Sequence, residues 1–592
     1  DFRAILDRHG LRYGMFGHVD VGCLHVRPAL NLRDPEDARR LREISDEVTQ
    51  LVKSYGGVLW GEHGKGFRSE YSPTFFGPEL YQELRKVKGA FDPYNQLNPG
   101  KLATPPTSGE RLISIDAKKR GDFDREIRDA ARAKFDVAIH CNGNGQCFDY
   151  HPDHVMCPSS KVTRDRIHSP KGRASILREW LRLMSATGYD AGATPGKGEG
   201  GHRSRRTAPD DFSHEVYDAM NGCLACKACA TQCPIKVDVP ELRAEFLSQY
   251  HTRYRRPLKD YFMAGLEQVL LVMGLMPKLF NWFFRQAWFN AILERWIGIV
   301  DSPKLSEERL APALAARGAP SFDPAKLRAL SLADKARTVL IVQDPFTTFY
   351  ETNVALAVYD VLTKLGLRVV FLPFRENGKA LHIKGFMQRF RRVVSKNVEF
   401  LSRVAELGLP IVGIEPALTL TYRDEYARAL APAGAGHDQV AAPPFRVQLL
   451  QEFMAEKLPQ LAAGRTQAAG RRTLRLFGHC TERTEAVKSQ EQWRSVFRAF
   501  GVELAPVATG CCGMCGAYGH EAEHYAESRG VFELSWGKQL GKDAGSREQV
   551  LAVGHSCRSQ VKRFAGFVPQ HPMEALRDVL AEQAPMLAQA AE

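Results

Sequence analysis

The sequence predicts a multidomain α+β protein whose last 260 residues or so form a duplicated α/β unit. Its 592 residues suffice for about four domains of roughly 150 residues each. Every cysteine except Cys23 falls between Cys141 and Cys233 or between Cys480 and Cys557. One strand–helix pattern also occurs twice in the last part of the chain, which is typical of paired α/β units. The expected domains are 1–104, 105–335, 336–470 and 471–592.

Composition limits the function classes. The hydrophobic share of 44% and the charged share of 25% are those of an ordinary globular protein. Lys and Arg exceed Asp and Glu by 81 − 68 = 13, which favours an anionic substrate, an acidic partner or a negatively charged membrane surface. The basic residues are scattered and no nucleic-acid motif accompanies them, so we expect no nucleic-acid partner.

The start of the chain and its cysteines bear on location. It opens at Asp1, without Met and without a charged-then-apolar leader, so we expect a fragment of a longer cytoplasmic protein. Clustered cysteines without a leader favour metal ligation over disulfides. The most apolar region, Val269 to Pro277, is far shorter than the roughly 20 residues that cross a bilayer.

The first region, 1–104, begins with a predicted pair of strands. Its expected elements are strands within Tyr13 to Pro28, a helix from Pro35 to Tyr55, a short strand from Gly57 to Trp60, and helix and loop to Lys101. Side chains alternate along a strand, so His25 and Arg27 should share one face, whereas Leu24 and Val26 face the core.

This region also holds a candidate metal and proton-transfer site. His18, His25 and Glu62 could bind a divalent metal such as zinc or manganese while leaving a position open for substrate. The neighbouring His63 could then take a proton near neutral pH. Arg27 could hold a substrate carboxylate through a two-pronged hydrogen bond. The alternative is that these histidines are structural residues of Gly-rich turns.

The second region, 105–335, reads as helical and contains the most specific motif of the chain. Cys223, Cys226, Cys229 and Cys233, followed by Pro234, have the C-x2-C-x2-C-x3-C-P spacing of two-cluster ferredoxins. A structural zinc site is the alternative, but zinc ribbons use two separated cysteine pairs.

An earlier group of cysteines forms a second motif of this kind, made of Cys141, Cys147 and Cys157-Pro158. Asn144 occupies the position of its middle cysteine. The ferredoxin pairing rule assigns Cys157 with Cys223, Cys226 and Cys229 to one 4Fe-4S cluster. Cys141, Cys147 and Cys233 are left for a second centre. It is either a 3Fe-4S cluster or a 4Fe-4S cluster with a non-cysteine ligand.

The stretch from Tyr261 to Val300 is rich in aromatic residues interspersed with basic ones. Such a pattern fits a helix lying in a bilayer interface, and hence peripheral membrane contact. The alternative, which we favour, is a helical pair packed between domains.

The last two regions align with one another. "RTVLIVQD" from Arg337 matches "RTLRLFGH" from Arg472, and "LGLRVVFLPFRENG" from Leu365 matches "FGVELAPVATGCCG" from Phe500. "PIVGIEP" from Pro410 matches "LAVGHSC" from Leu551. Each copy reads as strand, helix, strand, helix, strand, which predicts two α/β halves with parallel sheets.

Cysteines of the second copy follow its predicted strands, at the sheet edge where ligands gather. They are Cys480, Cys511, Cys512 and Cys557. "CCGMCGAYGHE" and "HSCRSQ" resemble the CCG domain of heterodisulfide reductases and related iron–sulfur subunits. The resemblance implies a further iron–sulfur or redox-active thiol centre, with Cys515 as an extra cysteine. Buried structural cysteines are the alternative.

The first region resembles the C-terminal domain of FAD-linked oxidases of the D-lactate and D-2-hydroxyglutarate dehydrogenase family. The motifs are Gly17 to His25, Gly61 to Gly66 and "FDPYNQLNPGKL" from Phe91. The resemblance implies that His18, His25 and Glu62 are metal ligands, that His63 is the base and that Asn98 lies near the flavin. Val21 and Cys23 depart from the first motif.

Together the modules resemble the fused FAD and iron–sulfur D-2-hydroxyacid dehydrogenases. This implies oxidation of D-2-hydroxyglutarate, or of D-lactate, with electrons passing through the clusters to a quinone or a carrier protein. We expect a homo-oligomer, FAD bound mainly by a half that precedes Asp1, and a location in the cytoplasm or at the inner face of the membrane. Alternatives are an electron-transfer module for a separate flavoprotein and a thiol-disulfide reductase acting at Cys511 and Cys512.

Overall fold

The computed structural model describes residues 1–61, 63–193, 211–432, 440–461, 472–541 and 547–589. The chain divides into two compact units. The first comprises Asp1–Asp129 and Arg182–Asp190, and the second comprises Ala130–Leu181 and Ala191–Glu592. Helices and two separate parallel sheets dominate the second unit, which confirms the predicted multidomain α+β class.

The first unit is built on an antiparallel hairpin of β1 (Tyr13–His18) and β2 (Cys23–Pro28). Its helices are Phe2–Arg8, Pro35–Ser54, Ser72–Phe91 and Arg120–Arg125. Asp34 caps the second of these helices by accepting a hydrogen bond from the Glu36 amide, and Pro35 opens its first turn. A core that includes Leu6 and Ile44 packs the first three of these helices against the hairpin.

Two local predictions for this unit are wrong. Residues 57–60 form no strand, because no segment of the described chain pairs with them. Leu24 is 65% exposed, since it lies at the loop end of the hairpin, outside the core to which Val26 contributes. Alternation along a strand assigns residues to faces, but it does not show how far the core extends beneath each face.

The part of the second unit that precedes its sheets is helical, as predicted. Its α-helices are Asp129–Lys134, Asp136–His140, Pro158–Thr163, Pro170–Ala186, Ser213–Asn221, Ala228–Gln232, Val239–Arg253, Leu258–Ala264, Leu266–Met273, Pro277–Arg285, Ala287–Ile292, Leu310–Ala316, Pro324–Arg328 and Leu332–Ala336. Among the described residues, no helix combines the length and the apolar character that a bilayer crossing requires.

Two parallel sheets follow. The first has β3 (Thr338–Val342), β4 (Arg368–Phe371), β5 (Ile411–Gly413) and β6 (Val447–Leu449), in the order β4-β3-β5-β6. The second has β7 (Thr473–Phe477), β8 (Glu503–Pro506) and β9 (Val550–Ala552), in the order β8-β7-β9. The predicted repeat is confirmed in its strands, and β3 and β4 match β7 and β8 in the aligned register. The third alignment is two residues out of register, because β3 pairs Leu340 with Ile411 whereas β7 pairs the equivalent Arg475 with Val550.

Helices surround both sheets. They are Thr352–Lys364, Lys379–Ile383, Met387–Ala405, Pro416–Thr421, Glu425–Leu430, Leu450–Leu461, Cys480–Glu485, Ser489–Ala499, Tyr525–Leu534, Trp536–Gly541, His555–Ala565 and Pro572–Gln589. One core, with Val339 of β3 and Leu474 of β7, is common to both repeats. The residues after the strands also meet, because the His555 ring stacks on Phe346 with 4.7 Å between centroids. The carboxyl ends of the two sheets therefore face each other.

Candidate functional site

Histidines gather on one face of the β1–β2 hairpin. The rings of His18 and His25 lie edge to face with 5.2 Å between centroids, and His63 lies 5.8 Å from His25. The register pairs His25 with Phe16 and His18 with Cys23, which puts the two strand histidines on the same side. Two imidazoles in this arrangement could bind one divalent ion, at the roughly 2 Å bond lengths of metal–nitrogen coordination.

The other predicted residues of this region have different surroundings. Arg27 shares the face of His25, as predicted, and its guanidinium lies 5.2 Å from the centre of the Phe16 ring. Asn98 is exposed in a turn, with φ +50°. Glu62 lies outside the described residues.

Four cysteines of the helical region come together in the second unit. Cys157, Cys223, Cys226 and Cys229 are buried and close enough to influence one another's ionisation. Burial raises the pKa of each of Cys157, Cys226 and Cys229, so neutral thiols are favoured until a cation binds. Non-glycine residues of the loop, Ala225 and Lys227, adopt positive φ, which wraps the backbone around the thiols.

The second predicted set comprises Cys141, Cys147 and Cys233, and the structure shows two of them in proximity. Cys141 and Cys147 are neighbours, and Cys141 adds to the burial that raises the pKa of Cys147. Cys233 follows the helix Ala228–Gln232 and is partly exposed. Asn144 is exposed, and its side chain bonds to Asn142 and to the Gln146 amide within its own loop.

The second repeat brings together five cysteines at the carboxyl edge of its sheet. Cys480, Cys511, Cys512 and Cys557 are buried, and Cys515 is partly buried. Hydrogen bonds from Cys511 and Cys515 hold the pKa of Cys480 well below its ordinary value, and His479 acts in the same direction. The extra cysteine, Cys515, is therefore part of this cluster.

The distances between potential ligand atoms show where the described residues could hold a zinc ion without rearrangement. A tetrahedral zinc with bonds of about 2.3 Å requires sulfur atoms about 4 Å apart. Within the described ranges, the group formed by Glu521, Glu523 and His524 is the one in which three ligand atoms lie within 4.8 Å of one another. Both of these carboxylates pair with the Lys259 ammonium group instead. No three sulfur atoms of the described cysteines lie within 4.8 Å of one another, so none of their groups forms a ready-made tetrahedral zinc site.

Comparison with protein families identifies two regions of the chain. Residues 1–102 match the model of the C-terminal domain of FAD-linked oxidases. Residues 137–237 match that of the 4Fe-4S dicluster domain. The chain thus joins a FAD-linked oxidase C-terminal domain to a 4Fe-4S dicluster domain. The β1–β2 hairpin with His18 and His25 lies in the region that matches the oxidase domain, and the cysteines from Cys141 to Cys233 lie in the region that matches the dicluster domain.

Two curated relatives match almost the whole chain. It is 48% identical to the D-2-hydroxyglutarate dehydrogenase of Pantoea ananatis and 47% identical to that of Escherichia coli, in each case over 98% of its length. The chain spans 57% of the length of each of these relatives. A D-lactate dehydrogenase of Archaeoglobus fulgidus is 33% identical over 17% of this chain and 21% of that protein.

Two buried cations of the dicluster domain were not predicted. Arg173 is 1% exposed, and one of its terminal nitrogens lies 3.8 Å from the Cys157 sulfur while another donates to Ser159 at 3.0 Å. Lys227, between Cys226 and Cys229, is equally buried. Lys227 could have been predicted as a functional residue from its position inside the cysteine motif, whereas no local sequence pattern indicates that Arg173 is buried beside a cysteine.

Proposed function

We propose that this chain forms the substrate-binding and electron-transfer part of a FAD- and iron–sulfur-dependent D-2-hydroxyacid dehydrogenase. The reaction is oxidation of D-2-hydroxyglutarate to 2-oxoglutarate, in which the substrate loses the hydrogen on C2 and the hydroxyl proton. The observation that carries the proposal is the set of three histidines, two on the hairpin and His63 beside them, in a chain 48% identical to a D-2-hydroxyglutarate dehydrogenase.

Each predicted site residue of the oxidase domain has a distinct role in this proposal. His18 and His25, with Glu62, hold a divalent ion such as zinc or manganese, and Asn98 lies towards the flavin. His63 accepts the hydroxyl proton, and Arg27 binds a substrate carboxylate through its planar guanidinium. A metal bound there would supply polarisation of the substrate oxygens, a flavin would supply a hydride acceptor, and the clusters would supply single-electron carriers.

The cysteines of the second unit form the electron path. Cys157, Cys223, Cys226 and Cys229 ligate a 4Fe-4S cluster. Cys141, Cys147 and Cys233 hold a 3Fe-4S cluster, or a 4Fe-4S cluster completed by a ligand other than cysteine. Cys480, Cys511, Cys512 and Cys557 hold the last centre, and the closeness of Cys226 to this group supports transfer between them.

An exposed face of the second unit supports peripheral membrane contact. The helices between Leu266 and Ile292 leave large apolar side chains in solvent. They include Leu271, Val272, Leu275, Met276, Leu279, Trp282 and Trp288, each at least 46% exposed. Lys278 and Arg285 lie on the same segment, and this mixture suits an anionic bilayer surface. A homo-oligomer that covers this face is the competing arrangement.

An assay of the full-length enzyme with a soluble dye tests the dehydrogenase. D-2-hydroxyglutarate should reduce the dye faster than D-lactate does. His63→Ala should lower kcat by about 100-fold or more, as expected for loss of a general base. His9→Ala, which removes a histidine paired with Glu47, should not change kcat.

Other outcomes would favour another function. Full turnover by His63→Ala would place the base elsewhere. No activity on any D-2-hydroxyacid would favour an electron-transfer module, and thiol-dependent disulfide reduction that needs Cys511 and Cys512 would favour a thiol reductase.

A further inference from the structure

A partly enclosed cavity of about 160 Å³ lies in the second unit. Its walls are mainly apolar and include Phe262, Leu266, Phe284 and Phe346. Leu224, from the loop between Cys223 and Cys226, lines it, as does Cys515 of the second-repeat cluster. The cavity therefore reaches both the complete ferredoxin-like centre and the cysteines of the second repeat.

One donor atom of a residue that lines the cavity has no hydrogen-bond partner in the described part of the chain. Arg243 is 3% exposed and donates from a terminal nitrogen to the Cys223 carbonyl oxygen at 2.9 Å. Its Nε is buried without a hydrogen-bond partner among the described residues. An unsatisfied buried donor destabilises the protein, so a ligand that offers a carbonyl oxygen would be favoured here.

A second polar group can carry a proton. Glu267 is 5% exposed and lines the same cavity. Its carboxylate accepts hydrogen bonds from the backbone amides of Asn377 at 2.5 Å and Gly378 at 3.3 Å. Burial raises the pKa of Glu267 to about 8, and Glu376 and Asp344 act in the same direction against the two amides. The group can therefore hold a proton near neutral pH.

We propose that this cavity binds the headgroup of a lipid quinone, with Arg243 donating to one carbonyl oxygen and Glu267 delivering a proton. The proposal rests on the dehydrogenase function, which supplies the electrons. Each substrate molecule releases two electrons and two protons. The quinone takes up two electrons through the cysteine-held centres and two protons, one by way of Glu267, and leaves as the quinol.

The helices that line the cavity indicate where such a ligand would enter. Leu266 and Phe284 contribute to the cavity wall, while Leu271 and Trp282 of the same two helices are exposed. A quinone dissolved in a bilayer could thus pass from the apolar face to the centre beneath it. A carrier protein could not bring its own cofactor into a cavity of this size, which favours the quinone.

Binding of decyl-benzoquinone to the anaerobically prepared full-length protein tests the site directly. Met263→Trp fills the cavity, because Met263 is a buried wall residue. It should weaken quinone binding, measured by equilibrium dialysis, at least tenfold while iron content stays at the wild-type level. Wild-type affinity in a variant with full iron content would overturn the proposal.

A second variant tests the proton path. Glu267→Gln should bind the quinone normally and lower the ratio of quinone reduction to dye reduction at least tenfold. Glu399→Gln changes an exposed carboxyl that pairs with Arg403 and does not line the cavity, and it should leave this ratio unchanged. An unchanged ratio in Glu267→Gln would overturn its role. Loss of dye reduction with every D-2-hydroxyacid would refute the dehydrogenase function alone, because quinone binding is measured without turnover.

Discussion

The ammonium group of Lys227 lies 2.9 Å from the carboxylate of Asp238, and the side chains of both residues are at most 1% exposed. Asp424 and Glu425, from the first α/β repeat, lie 2.6 Å and 3.7 Å from the same nitrogen. Burial is the largest influence on the pKa of Lys227 and would lower it, but the three carboxylates raise it well above its ordinary value. A buried cation inside the cysteine motif thus ties the dicluster domain to the first repeat.

Removing this cation should be costly. Lys227→Met leaves three carboxylates with only Arg428 and Lys379 as cationic partners, and we expect a loss of about 3 kcal/mol in the free energy of unfolding. Urea denaturation and iron content measure the effect. Lys326→Met, in an ion pair with Asp323 where the lysine side chain is 79% exposed, should change stability by less than about 1 kcal/mol. Equal effects in the two variants would contradict the structural role of Lys227.

Iron content should follow the cysteine assignment. Cys229→Ser should remove about four iron atoms per chain, since it breaks a complete cluster. Cys141→Ser should remove three or four, and the EPR spectrum of the wild-type protein would distinguish a 3Fe-4S from a 4Fe-4S centre. Cys23→Ser is the control, because Cys23 lies beside His25 in the oxidase domain, at 3.8 Å. Detection of a single cluster in the wild-type protein would refute the pairing.

Local spacing and periodicity were enough to predict much of the fold. The strands of both repeats and the grouping of Cys223, Cys226 and Cys229 with Cys157 depend on short patterns. The strand expected at 57–60 was wrong because a strand needs a pairing partner, which its own residues do not reveal.

Contacts between distant residues could not be predicted in this way. Glu267 bonds to the Asn377 amide across 110 positions, and Lys227 reaches Asp424 across nearly 200. Asn377 aligns with Cys512 in the repeat, so the first copy holds a carboxylate with backbone amides where the second copy has a cysteine. The alignment located this loop, but it gave no sign of the carboxylate that it holds.

Substrate affinity should depend on Arg27. Arg27→Met should raise the KM for D-2-hydroxyglutarate at least tenfold and change kcat by less than about threefold, because carboxylate binding contributes mainly before the chemical step. Arg27→Lys should restore the KM only in part, since an ammonium group lacks the planar fork. Arg12→Met serves as the control, because Arg12 is exposed and lies directly before β1. An unchanged KM in Arg27→Met would exclude this role.

Stability at low pH should depend on Glu521. Its carboxylate lies 2.7 Å from Lys384 and 2.9 Å from Lys259. Burial alone would raise the pKa of Glu521, but these two ammonium groups lower it from 4.5 to about 2. The folded state thus binds this proton less readily than the unfolded state does. The stabilisation is complete above about pH 5 and is lost as the pH falls towards 2.

Between about pH 5 and pH 3 this carboxylate should account for a loss on the order of 2 kcal/mol in the free energy of unfolding. Urea denaturation of the wild-type protein and of Glu521→Gln across this range measures the difference, and the variant should show the shallower dependence. Glu399→Gln changes a carboxyl whose side chain is 70% exposed, and it should keep the wild-type slope. Parallel profiles for wild type and Glu521→Gln would show that the two lysines do not hold a charged carboxylate there.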